Sequence, residues 1–275
     1  MSGLLSTQLA ELLAALIALA TLLLLLQWQE RRVSRLVAHR WGWRAVLLTG
    51  WLGVPVHELS HLALARLFGH RIIAWRLFEP DPSSTTLGYV RHACSRHTPW
   101  QRAAQPLIAL APLLGGGLLL AALLWWMLPA QQLPLLVERV RAMATTGSVP
   151  HLLQGSAAFA HELAAAVWQG RTPLLPLQLY LAICISCHLA PSRADLASSL
   201  PSLMGLLVLL IGGGAIAAVF GWAWPVRKTA VLVLGPLLAL LVAVGMFQGL
   251  FAAVVIGCVR RRRGLRLDSA PPRDR

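Results

Sequence analysis

Apolar runs alternate with short polar stretches along almost the whole chain. Residues 4–26, 46–68, 106–128, 174–190, 203–224 and 229–259 are the apolar runs. At ~1.5 Å per helical residue, about 20 residues cover the ~30 Å hydrocarbon layer of a bilayer. The pattern therefore predicts about six membrane-crossing helices. The last run is long for one crossing and is interrupted at Gly235-Pro236, so it is expected to tilt, kink or divide. Between the second and third runs, residues 71–78 and 87–93 flank the turn-rich EPDPSSTT and predict a short β-hairpin. Residues 151–168, inside a less apolar connection at 129–173, read as an amphipathic helix lying at the membrane surface.

Composition fits this pattern. The chain is 57% hydrophobic and only 12% charged, with mean hydropathy +0.67, whereas about a quarter of a soluble protein is charged. The expectation is an all-α polytopic membrane protein with a small β-hairpin insert, multi-pass in a bacterial cytoplasmic membrane. It divides into an N-terminal anchor (1–30), a membrane core (44–200), C-terminal crossings (201–259) and a basic tail (260–275). The start of the chain lacks the basic leader and cleavage site of a removable signal, so the first run reads as a retained anchor.

The net charge of +14 resides in basic runs beside apolar segments, as in cytosolic flanks. Nothing interleaves aromatic and basic residues for stacking on bases, and no nucleic-acid partner is expected. Residues 31–44 and the tail at 260–266 both favour the cytosol, yet six crossings place them on opposite sides. Either one run is re-entrant or 151–168 crosses; the two alternatives stay open.

The chemistry lies in the second run. It carries His57, Glu58 and His61 in the sequence HELSH, and ionisable groups inside a membrane are costly unless paired or bound. On a helix, His57 and His61 stand one turn apart on one face and can share a zinc ion, while Glu58 lies beside it as a base for water. Counted from Ala45, His57 sits about 18 Å into the run, near the expected midplane. Pro55 removes a backbone hydrogen bond there and invites a kink that admits water.

A catalytic zinc needs a third protein ligand and leaves a fourth position open. Asp195 is the candidate, being the only aspartate between residues 82 and 267. It competes with a second role, because Ser192-x-x-Asp195 ahead of an apolar run is also a capping box. Two other patterns imitate sites. His161-Glu162-Leu163 repeats half of the motif but has Ala165 where a histidine is needed. Cys184-x-x-Cys187-His188 spells a haem-attachment pattern, but both cysteines lie in an apolar run, so no haem is expected. The four cysteines show no disulfide framework.

HELSH in an apolar helix, a later helix-entry segment with Pro191 and Asp195, and the strand-like insert together resemble the site-2 protease family of intramembrane zinc metalloproteases. The similarity covers residues 44–200. It implies a zinc endopeptidase cutting membrane-embedded protein substrates, with His57, His61 and Asp195 as ligands and Glu58 as the catalytic base. Family members commonly carry an Asn-x-x-Pro run leading to Asp-Gly, the asparagine helping to hold the substrate carbonyl. This chain has no asparagine; His188 stands at that place and Leu196 follows the aspartate. His188 is thus the candidate carbonyl-stabilising group. The strand-like segments, through Trp75, Leu77, Gly88 and Val90, are candidates for pairing with an unwound substrate. The loops are too short for the regulatory PDZ domain that some members carry.

Two other classes remain beside the protease. One is a membrane metal-binding or scaffold subunit that kept the fold and lost proteolysis. The other, a proton-relay transporter, is weaker because the ionisable groups gather in one motif instead of lining a path.

Overall fold

The computed structural model describes residues 2–81, 86–95, 98–145, 149–192, 194–197, 201–202 and 226–268. The apolar run at 203–224 lies outside them. The protein is mostly helical with one two-stranded antiparallel sheet: α1 (Ser2–Trp41), α2 (Trp43–Leu67), β1 (Arg71–Arg76), β2 (Tyr89–Ala93), α3 (Pro99–Ala109), α4 (Ala111–Met127), α5 (Leu133–Thr145), α6 (Val149–Gln169), α7 (Leu175–Ser186) and α8 (Val226–Asp268).

Glycine placement sets the first boundaries. Gly42 has φ 84°, a left-handed conformation in which a Cβ is costly, and it separates α1 from α2. Gly69 has φ 74° and ends α2. Its N–H donates to the Arg66 carbonyl and that of His70 to Ala65, the paired reverse bonds of a Schellman turn. The chain then enters β1, which pairs with β2 as expected, with a register shift between Ile72 and Ala74.

The proline-bearing runs behave differently from one another. The expected single run at 106–128 is two helices, α3 and α4, bent by 52°. Pro112, at the start of α4, has no N–H to donate to the Ile108 carbonyl, so the helix cannot continue straight. By contrast α2 passes through Pro55 and α8 through Pro236 without a break. The division considered at Gly235-Pro236 therefore does not occur.

One described helix segment, Pro236–Arg260, is long and apolar enough to cross a membrane, and α3 with α4 pass the same criterion together as a bent pair. The expected crossing at 174–190 is the 12-residue α7. The expected amphipathic helix is α6, and α5 precedes it in the same connection. Glu162 takes both the Nε and the Nη2 of Arg139 in a two-pronged pair that joins α5 to α6. The half-motif at 161–163 thus has a structural explanation.

The core gathers α1, α4, α7 and α8 around Leu26, Leu113, Leu120, Ile185, Leu189, Leu241 and Phe247. Small residues let α2 enter this packing. A β-carbon on Gly116 would stand 3.3 Å from Leu189 Cγ and 3.6 Å from Val56 Cγ1, and one on Gly115 would overlap Ser60 Oγ. A β-carbon on Gly53 would overlap the Cys184 carbonyl and the His188 ring. The last turn of α7 and the segment after it therefore lie directly on α2.

Candidate metal centre

The face of α2 that meets the segment after α7 carries His57 and His61, and Asp195 stands across from them. His57 Nε2 stands 3.7 Å from Asp195 Oδ2, and His61 Nε2 stands 3.4 Å from Asp195 Oδ1. Ligand atoms about 2.1 Å from a tetrahedral ion lie about 3.4 Å apart, so the spacing matches a shared metal. One ligand atom from each of His57, His61 and Asp195 falls within 4.8 Å of the others, a group that can hold a metal ion.

Both imidazoles are oriented by backbone carbonyls. The His57 Nδ1–H donates to the His188 carbonyl at 2.7 Å, and the His61 Nδ1–H to the Ile108 carbonyl at 2.9 Å. A carbonyl only accepts, so both protons sit on Nδ1 and both Nε2 lone pairs face the aspartate. Local folding explains why neither carbonyl is taken by the usual i+4 helical donor. Ile108 is the residue whose helical partner would be Pro112, which has no N–H. His188 lies beyond the end of α7, where the chain has left the helix.

His61 is 6% exposed and its Nε2 has no hydrogen-bond partner. A buried imidazole nitrogen without a partner is costly, and a metal ion would satisfy it. The donor set of two imidazoles and one carboxylate suits zinc.

Asp195 fills both of the roles weighed from the sequence. Its Oδ2 accepts from the Ser192 N–H at 2.7 Å while its own N–H donates to Ser192 Oγ at 3.1 Å. That is a reciprocal capping box at the start of the helical turn 194–197, and it fixes the carboxylate while its oxygens face the histidines.

A cavity of about 270 Å³ adjoins the triad. His57, Glu58, Leu87, Gly88, His188 and Pro191 are among its walls. Glu58 is buried, 9% exposed, and faces this space beside the ligands, where the motif requires a base. His188 contributes its carbonyl to His57, and its ring Nε2 is 3.4 Å from Thr49 Oγ1. His188 is also among the residues that line the cavity, so it belongs to the site, first as a positioning residue.

Of the four candidate substrate-pairing residues, only Gly88 reaches the cavity. Trp75 and Val90 are partners of each other within the sheet, and Leu77 lies just past β1. Thr86, Leu87 and Gly88, leading into β2, border the site. A side chain at Gly88 would meet the Leu77 carbonyl at 2.8 Å and Val54 Cγ1 at 2.9 Å, so this approach needs glycine.

Behind the hairpin a second pair of histidines anchors β2. The His70 Nε2–H donates to the Gln101 carbonyl at 3.0 Å, which leaves His70 Nδ1 to accept the Nδ1–H of His92 at 3.0 Å. Burial holds the pKa of His92 below its ordinary value, and the neighbouring His70 and His61 add to that; the Asp195 carboxylate opposes it.

The sequence did not point to α1. Gln27 donates its Nε2–H to the Pro191 carbonyl, and Gln27, Glu30 and Arg31 line the cavity. The available signal was Glu30 itself, the only acid between residues 27 and 44. The motif thus lies level with the point where α1 changes from apolar to charged.

Cys184 and Cys187 are buried and free, and Cys184 donates to the Leu48 carbonyl at 3.6 Å. No family model matches the chain, and neither a curated protein nor a solved structure matches it.

Proposed function

We propose that the chain is a zinc-dependent endopeptidase, multi-pass in the membrane, that hydrolyses peptide bonds in membrane-embedded protein segments. The observation that carries this reading is the unpartnered Nε2 of buried His61, facing Asp195 beside a cavity that contains Glu58. A zinc ion held by His57, His61 and Asp195 would supply Lewis-acid activation of a water and of the substrate carbonyl. Glu58 takes the proton of the attacking water and returns it to the departing amine, so that a C–N bond breaks as a C–O bond forms. Gly88, at the cavity wall, is where an unwound substrate would run alongside the hairpin. His188, another wall of the cavity, would stabilise the substrate carbonyl.

The level of the site on α1 supports water access. A bilayer centred on the apolar run 4–26 leaves Glu30, Arg31 and the triad at its boundary, where the charged half of α1 begins. A transmembrane substrate would then be cut near its end, where its helix unwinds most readily.

A non-proteolytic metal-binding scaffold needs the three ligands but no carboxyl beside them. Glu58 at the cavity favours the enzymatic reading. Purified protein in proteoliposomes, mixed with membrane-segment peptides and read by mass spectrometry, tests it. Cleavage should stop on chelation and fall at least ~10²-fold in Glu58→Gln; cleavage that survives both treatments contradicts the proposal.

A further inference from the structure

The cavity has a feature that the proton chemistry does not use. Glu30 lines it from α1, outside the ligand group of His57, His61 and Asp195. Among the described residues, no cation lies within ion-pair distance of its carboxylate. Arg31 borders the same cavity and still forms no such pair. Gln27, one turn earlier on α1, is buried and held to Pro191, so this stretch of α1 is fastened to the segment that carries Asp195. Glu30 is therefore an acidic wall of the cavity without a direct ion-pair partner among the described residues.

A half-buried carboxylate without a partner is a cost that a cationic ligand relieves. The level of the site adds an independent reason to expect such a ligand. Membrane segments carry Lys and Arg at their cytosolic ends, and the cavity stands where α1 itself turns from apolar to basic. A substrate entering there presents apolar residues to one side and its basic flank to the other.

We propose that Glu30 is a specificity residue, selecting membrane segments that place a lysine or arginine beside the scissile bond. This rests on the hydrolase reading above and deepens it by naming the substrate class. The basic side chain enters the cavity of about 270 Å³ and its cation pairs with the Glu30 carboxylate. The adjacent peptide bond then lies toward His57 and Glu58.

The test uses full-length, zinc-loaded protein in proteoliposomes and a set of membrane-segment peptides. The peptides are identical except for Lys, Gln, Leu or Glu scanned through the cytosolic end, with cut sites mapped by mass spectrometry. Wild type should cut beside lysine, with kcat/KM about tenfold or more above the leucine peptide. Glu30→Gln should bring that ratio to about one while binding the same amount of zinc. Glu30→Lys should shift preference to the glutamate peptide. Cutting without basic preference in wild type, or a lysine preference that persists in both variants, overturns the assignment while leaving the hydrolase reading standing. Failure of zinc-loaded wild type to cut any peptide defeats the hydrolase reading and this inference with it.

Discussion

His61 Nε2 stands 3.4 Å from Asp195 Oδ1 and makes no hydrogen bond. Two groups far apart in sequence are thus brought to metal-sharing distance by α2 and by the segment after α7. The orientation of each comes from its own local structure, the Ile108 carbonyl for His61 and the capping box for Asp195.

The two roles of Asp195 separate by mutation. Ser192→Ala removes one side of the capping box and should cost ~1 kcal/mol of stability while zinc stays bound. Asp195→Asn keeps a capping acceptor but loses the charged ligand, and should abolish stoichiometric zinc binding. Metal analysis beside thermal melts of both variants checks this; retained zinc in Asp195→Asn would limit the aspartate to its cap.

Pro112 acts on the site through an absent N–H. Pro112→Ala restores a donor that competes with His61 for the Ile108 carbonyl, and zinc affinity should fall roughly 10-fold. Competition with a chromophoric chelator measures it. Unchanged affinity would show that the carbonyl does not orient the imidazole.

Gly53→Ala pushes a methyl group into the Cys184 carbonyl and the His188 ring. The expected loss is about 1–3 kcal/mol of stability, with weaker zinc binding because the His188 carbonyl orients His57. Denaturation and metal titration on the same variant check both effects.

The triad was legible in the sequence because a helix makes the spacing of His57 and His61 a geometry, and because aspartates are so few. The contribution of α1 was not legible. Gln27 and Glu30 reach the cavity only through the antiparallel packing of α1 on α2, a tertiary relation that no local pattern encodes. Proline effects were legible only in part. Loss of one helical bond bends the chain between α3 and α4, whereas α2 and α8 continue through Pro55 and Pro236. In α8 the neighbouring Ala239, Leu241 and Ala243 are buried against other helices, and that packing outweighs the missing bond.

The His70–His92 pair predicts a pH response of the hairpin. The pKa of His92 lies below 6.5 in the folded state, so the unfolded state binds more protons in that range. Its stabilising contribution is complete above pH 6.5 and is lost as pH falls through the lowered folded value. Hydrogen exchange of β1 and β2 should accelerate as pH drops from 7 to 5, after correction for intrinsic rates. His92→Gln should flatten this dependence; an equal response in the variant would exclude the pair as its source.

The central claim is that His57, His61 and Asp195 hold one zinc ion with a position left open. X-ray absorption on the purified full chain, with metal stoichiometry from the same sample, tests it most directly. The account predicts about one zinc per chain, two imidazole nitrogens at about 2.0–2.1 Å, and oxygen ligands from one carboxylate and one water at about 2.0–2.2 Å. His61→Ala should lose the metal. Folded wild-type protein that binds no zinc when zinc is supplied, or a bound zinc whose ligand shell is unchanged in His61→Ala, would contradict it.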